Sequence, residues 1–156
     1  MRPGVRLGVD VGTVRVGLSR CDPEGLIATP LETVHRKSRD AASQVLAAAD
    51  EVGAIELVVG LPVALSGGQT ASTRDARAFA EELAALERLP VRLVDERLST
   101  VSAHSQLRAA GKRSRSFTPI VDQAAATIIL QHALDVERQT GRAPGEVLAT
   151  RMGPHP

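Results

Sequence analysis

The chain has 156 residues and a mass of 16.4 kDa, the size of one domain with an ordinary core. Nineteen Lys+Arg balance eighteen Asp+Glu for a formal charge of +1, so the chain as a whole is neither strongly basic nor strongly acidic. A single cysteine, Cys21, excludes an internal disulfide framework and any CxxC zinc site. No run of about eighteen apolar residues offers a membrane span. The opening MRPGVRLGVDVG enters a strand-like pattern directly and lacks a signal peptide's apolar region and cleavage site. A cytoplasmic protein with no membrane partner is therefore expected. Phe79 and Phe117 are the whole aromatic complement, too few to stack bases on aromatic platforms. The core must be aliphatic, and any nucleic acid must be held by its backbone.

Residues 5–11, VRLGVDV, read as a short strand ending at the Gly12-Thr13 turn. Residues 14–20 alternate in hydrophobicity, CDPEG at 21–25 is a second turn, and 26–34 form a third strand. Pro30 inside it favours a sheet edge. From Ser38 the period changes: Ala41, Ala42, Val45, Leu46, Ala49 and Val52 recur at helical spacing until Gly53. IELVVGLP at 55–62 is a continuous apolar strand, and SGGQT at 66–70 is a loop. Ser72 and Asp75 make a capping signature ahead of a helix carrying Ala76, Phe79, Ala80, Leu83 and Leu86. Pro90 stops that helix, and VRLV at 91–94 is the fifth strand. A third helix runs from Ser99 to Gly111, and KRSRS at 112–116 is a basic loop. Thr118-Pro119 starts a long helix to about Gln139. The order β-β-β-α-β-α-β-α-α predicts an α/β domain over 1–140, a mixed five-stranded sheet flanked by helices. The Gly- and Pro-rich 141–156 reads as a flexible C-terminal tail.

Most of the acids sit where solvation suffices, on helix ends, polar helix faces and turns. Asp10, between Val9 and Val11 inside the first strand, does not. Neither do Asp95 and Glu96, which leave the end of the VRLV strand, nor Asp122, in the apolar stretch IVDQAAATIIL. A carboxylate in such a place is costly unless paired, hydrogen-bonded or bound to metal. In open α/β sheets the crevice at the carboxyl ends of the strands is the usual site. Carboxylates converging there would bind a hard divalent cation, Mg²⁺ or Mn²⁺, through oxygen. The bland account keeps its weight for each acid taken singly: Asp10 could anchor the Gly12-Thr13 turn, and Asp122 could favour a helix N-terminus. The four histidines lack ligand-like spacing, which argues against zinc.

The segments LGVDVGTVRVGLS (7–19), VVGLP (58–62), VDERLST (94–100) and VDQAAATIILQHALD (121–135) stand in an order that resembles the YqgF/RuvX family. The resemblance covers roughly residues 5–136. It implies an RNase H-like, RuvC-like fold and a nuclease that processes the 5′ end of pre-16S ribosomal RNA. An older assignment in the same family is Holliday junction resolvase, which acts on four-way DNA junctions. Carried over residue by residue, the family's acidic set falls on Asp10, Glu96 and Asp122. Neighbours on a strand face opposite sides, so one of Asp95 and Glu96 points into the site, and Glu96 is the expected one.

These residues would hold two Mg²⁺ or Mn²⁺ ions, with Asp10 bridging. Substrate phosphates would meet Thr13, Arg15, Arg97, Arg108 and the basic loop residues Lys112, Arg113 and Arg115. The expected partner is nucleic acid: structured RNA, or a four-way DNA junction. Junction resolution needs two sites on a symmetric homodimer, whose interface the sequence does not mark. Two other classes compete. An actin-like ATPase shares a GVDVGT-type strand turn but needs a second lobe and a second phosphate loop. A non-catalytic binding module would have no use for the acids.

Overall fold

Alternating burial organises the first half of the chain. The computed structural model describes residues 1–38, 40–62, 66, 68–96 and 118–148, with 118–120 in backbone alone. Val5–Val11 (β1) and Arg15–Cys21 (β2) pair antiparallel across a tight turn in which Gly12 N–H donates to the Arg15 carbonyl at 2.8 Å. Ala28–His35 (β3) adds antiparallel to β2 at the sheet edge, where Pro30 forfeits no interior ladder bond. Asp22 shapes the connection between them by accepting from the N–H groups of Glu24, Leu26 and Ile27.

The period then becomes helical. Ala41–Val52 (α1) buries Ala41, Val45, Leu46, Ala48 and Ala49, and Gly53 closes it in the left-handed conformation at φ 67°. Ala54–Leu61 (β4) lies parallel to β1, and Val91–Asp95 (β5) lies parallel to β4. Between them runs Ala71–Ala85 (α2). Its cap is Thr70, whose hydroxyl accepts from Thr73 N–H, rather than the expected Ser72–Asp75 pair. The Thr73 hydroxyl in turn reaches the Pro62 carbonyl at the end of β4, which moves the helix start upstream. Thr118–Thr140 (α3) is the long final helix. The helix expected over 99–111 and the basic loop lie outside the described residues.

The sheet has six strands, not five, in the order β3-β2-β1-β4-β5-β6. The added strand, Glu146–Val147 (β6), pairs antiparallel with β5 inside the stretch expected as a loose tail. Leu148 N–H donates to the Val91 carbonyl at 2.8 Å, and any side chain at Gly145 would collide with the Leu93 carbonyl. Two residues are too few to show a period, so only the tertiary pairing reveals this strand. Residues 149–156 lie outside the described residues.

Helices cover both faces. Leu7, Val9, Val16, Leu18, Leu57, Val59 and Leu93 pack under α1 and α2, while Cys21, Val58 and Val94 meet Ile129, Leu130 and Leu134 of α3. Among the described residues no helix is long and apolar enough to cross a membrane.

At the far end of α3, Glu137 is not on a solvated face as its position in the sequence suggested. It is buried and accepts from Arg2 at 2.8 Å and Arg6 at 3.0 Å. The buried Glu56 accepts from Arg2 at 2.9 Å and Arg92 at 3.2 Å. The bonds from Arg2 hold the Glu137 carboxyl at about 2, well below its ordinary 4.5, against the opposing effect of burial. Because the folded value is the lower one, this stabilisation is complete above about pH 4.5 and disappears as pH falls through about 2. Its size is on the order of 3 kcal/mol. Urea unfolding followed across this acid range should show stability falling with pH, with a shallower fall in Glu137→Gln; equal slopes would contradict the linkage.

Candidate active site

Three residues without bulky side chains let α3 lie directly on the sheet. A methyl group at Gly17 of β2 would overlap the Asp122 carbonyl. One at Gly8 of β1 would stand 2.8 Å from the Ala126 carbonyl, which accepts from the Ser19 hydroxyl at 2.8 Å. At Gly60 of β4 it would strike Ile129. The helix therefore crosses β2, β1 and β4 in succession, in closer contact than any larger side chains would permit. Nothing in the local pattern marks these positions, because each glycine reads as an ordinary weak spot in a strand.

This seating decides what surrounds Asp10. The residue is 0% exposed, and it faces α3 because Gly8, two positions earlier, does so. Asp10 pairs directly with Gly17, so the Asp122 turn of α3 lies over its neighbour on one side. On the other side, Val9 pairs with Val59, and one step further along both strands brings Asp10 level with Gly60. The space above Gly60 is taken by Glu96, whose Oε1 lies 2.7 Å from where a β-carbon would be. Glu96 and Asp122 are each 8% exposed. Val94 packs toward α3, so alternation sends Glu96 to the same face and Asp95 to the opposite one.

Asp10 and Glu96 thus stand near the carboxyl ends of parallel strands, with the Asp122 turn of α3 on the same face, and the two glycines beside Asp10 admit that turn and the Glu96 side chain. The donor set is all oxygen, which suits a hard divalent cation. Among the described residues, however, no group of three or more His, Cys, Asp or Glu side chains is arranged to hold a metal ion.

The β1–β2 turn follows directly on Asp10. Thr13 is exposed at its tip, and Arg15 is half-buried on the α3 face of β2, with its Nε meeting no hydrogen-bond partner among the described residues. Arg97, Arg108, Lys112, Arg113 and Arg115 lie outside the described residues. Sequence reasoning missed Arg36. Its Nη1 donates to the Gly12 carbonyl at 3.1 Å and to Asp75 at 2.5 Å, and its guanidinium carbon stands 5.1 Å from the centre of the Phe79 ring. It ties the turn after Asp10 to the first part of α2. No local signal could have found it, since these contacts exist only once β3 has returned beside β2.

Layer order and strand order define a mixed α/β protein with an RNase H-like fold of the kind seen in RuvC. The chain belongs to the RuvX family, described as Holliday junction resolvase, whose model matches residues 4–136. A relative from Leifsonia xyli subsp. xyli is 61% identical, covering 99% of this chain and 100% of its own, and bears the name "Putative pre-16S rRNA nuclease". One of the same name from Clavibacter michiganensis subsp. michiganensis is 59% identical over 95% of this chain and 93% of its own. Among solved structures, T. thermophilus RuvC in complex with a Holliday junction substrate superposes with a TM-score of 0.56 at 17% identity, covering 92% of this chain and 99% of that one. At that identity the likeness concerns the fold.

Gly17→Ala should be among the costliest single-methyl additions in the molecule. Backbone would meet backbone there, and a loss of about 3 kcal/mol or more is expected by urea unfolding. A near-neutral result would contradict the seating of α3 on β2.

Proposed function

We propose that this protein is a metal-dependent nuclease that hydrolyses phosphodiester bonds and processes the 5′ end of pre-16S ribosomal RNA, with Asp10, Glu96 and Asp122 as its catalytic carboxylates. The observation that carries the reading is the burial of Asp10 near the end of β1, between a glycine covered by the Asp122 turn and a glycine covered by Glu96. Burying one carboxylate among others is unfavourable unless a cation or proton offsets the charge. Membership of the RuvX family and the names of the two relatives support the substrate class.

Asp10, Glu96 and Asp122 would hold Mg²⁺ or Mn²⁺, drawing closer together than they stand here. Ions at such a site activate water and stabilise a leaving oxygen. The protein's own part is to position. Arg36 fixes the Gly12 turn, and that turn presents Thr13 and Arg15 to a substrate phosphate beside Asp10. Arg97, Lys112, Arg113 and Arg115 would extend the cationic rim. The hydroxyl of water joins phosphorus as the P–O3′ bond breaks, the 3′ oxygen leaves with a proton, and the new end carries a 5′-phosphate. With so few aromatics, recognition follows backbone and shape rather than base identity.

The second reading is resolution of four-way DNA junctions by a homodimer, favoured by the family's description and by the junction bound to the RuvC neighbour. Supplying a structured RNA carrying the pre-16S 5′ region and a four-way junction side by side in Mn²⁺ should separate the two, with cleavage of the RNA expected.

Asp10→Asn removes the central charge while keeping the shape. It should lower cleavage by at least about a hundredfold with the fold retained by circular dichroism. Wild-type cleavage by this variant would overturn the assignment. Neutralising Lys112, Arg113 and Arg115 together should weaken RNA binding and flatten its dependence on salt. An unchanged slope would remove the loop from the binding surface.

A further inference from the structure

A second charged pocket lies at the opposite end of α3. Met1, Arg2, Arg92, Glu137, Gly141, Arg142 and Ala143 line a cleft of about 460 Å³. Glu137 follows Asp122 by fifteen residues, which at 1.5 Å per residue separates the cleft from the acids by about 22 Å along the helix. Both lie on the same side of the sheet, because Arg92 precedes Val94 by two positions on β5 and Val94 packs against α3.

The charges here do not cancel. Among the described residues Arg2, Arg6 and Arg92 pair with Glu56 and Glu137, and Arg142 lines the same cleft, so four guanidinium groups against two carboxylates leave two positive charges in excess. The donors are unevenly used. Arg2 spends Nε, Nη1 and Nη2 on the two carboxylates. Arg92 commits Nε to Glu56 and Nη1 to the Pro144 carbonyl at 3.1 Å, with no partner for Nη2 among the described residues. The Arg142 guanidinium makes no hydrogen bond or ion pair among the described residues, and the residue is exposed.

The rim that carries Arg142 is held in place. Gly141 N–H donates to the Glu137 carbonyl at 2.8 Å and Arg142 N–H to the Thr140 hydroxyl at 3.1 Å, and that hydroxyl donates to the Val136 carbonyl at 2.7 Å. Beyond it, the Arg92–Pro144 bond and the β5–β6 pairing fasten 144–148 to the sheet. The two unspent cationic groups are thus carried on fixed backbone, which lowers the ordering cost of taking up an anion.

From this geometry we propose that the Arg92–Arg142 cleft is a phosphate-binding site, an anchor for a backbone phosphate remote from the bond that is cut. Guanidinium groups suit phosphate oxygens through paired N–H donors, and the two excess charges give the cleft the sign a phosphodiester requires. Its place on the α3 side lets one strand pass over the acids and continue to the cleft. The choice of nucleic acid as the source of the phosphate rests on the nuclease reading; free inorganic phosphate has the same chemistry.

The test uses Arg142→Glu in the full chain, with EDTA present so that no cleavage intervenes. Among the described residues Arg142 bonds to its surroundings through backbone alone, so the melting temperature should stay at the wild-type value, and Arg142→Ala serves if it does not. Fluorescence anisotropy with a labelled single-stranded RNA should show about tenfold weaker binding at low salt, and the slope of log affinity against log salt should fall by about one. Calorimetry with inorganic phosphate forms the second arm. Loss of RNA affinity supports a backbone anchor, whereas loss of phosphate binding with RNA affinity intact assigns the cleft to the free anion. Unchanged affinity for both, with an unchanged salt slope, overturns the proposal. Neither arm needs catalysis, so a wild-type protein that cleaves no RNA would sink the nuclease reading while leaving the cleft to be decided by these measurements.

Discussion

Everything at the candidate site depends on how closely α3 rests on the sheet. Helices usually pack on sheets through intervening side chains. Here Gly17, Gly8 and Gly60 remove those side chains along the helix path, and the Ser19 hydroxyl bonds to a helix carbonyl in their place. The consequence is both energetic and geometric. A hydroxyl with a partner costs little to bury, and the short separation brings the Asp122 turn over a strand neighbour of Asp10. A larger residue at Gly17 would lift the helix and part the acids.

The same helix organises both of its ends. Near its beginning, Asp122 lies over the strand neighbour of Asp10, and Glu96 shares that face at the end of a parallel strand. Near its close, Glu137 and Glu56 are shared among arginines from the first residues, β1 and β5. Carboxylates are buried at both ends, two of them shared among arginines at the far end and three of them standing on one sheet face at the near end. The proposed metal site belongs to the first end, where the donors are all carboxylate oxygens, and the proposed phosphate anchor to the second, where guanidinium groups outnumber carboxylates.

Much of the fold was legible from residue order. β1 matched its expected span, β2 to β5 came within one or two residues of theirs, and the edge position of β3 followed from Pro30. Gly53 closed α1 as its position indicated. What escaped shares one cause. β6, the Glu137 ion network and the Arg36 clamp are each made of partners far apart in sequence, and a local pattern carries no trace of such a partner.

For the site, the sequence by itself determined which carboxylates were out of place: Asp10 within an apolar strand, Asp95 and Glu96 at the end of another, and Asp122 in an apolar helix. Burying a charge is costly wherever it occurs, so each anomaly showed without knowledge of its neighbours. The sequence also determined that the core is aliphatic and that two phenylalanines are too few for aromatic base-stacking platforms. Only the tertiary structure decided that the three acids share one sheet face, that Asp95 points away, and that glycines flank the central carboxylate. Those are relations between strands, set by hydrogen-bond register and by the height of a helix above its sheet. Neither quantity is a property of any one segment.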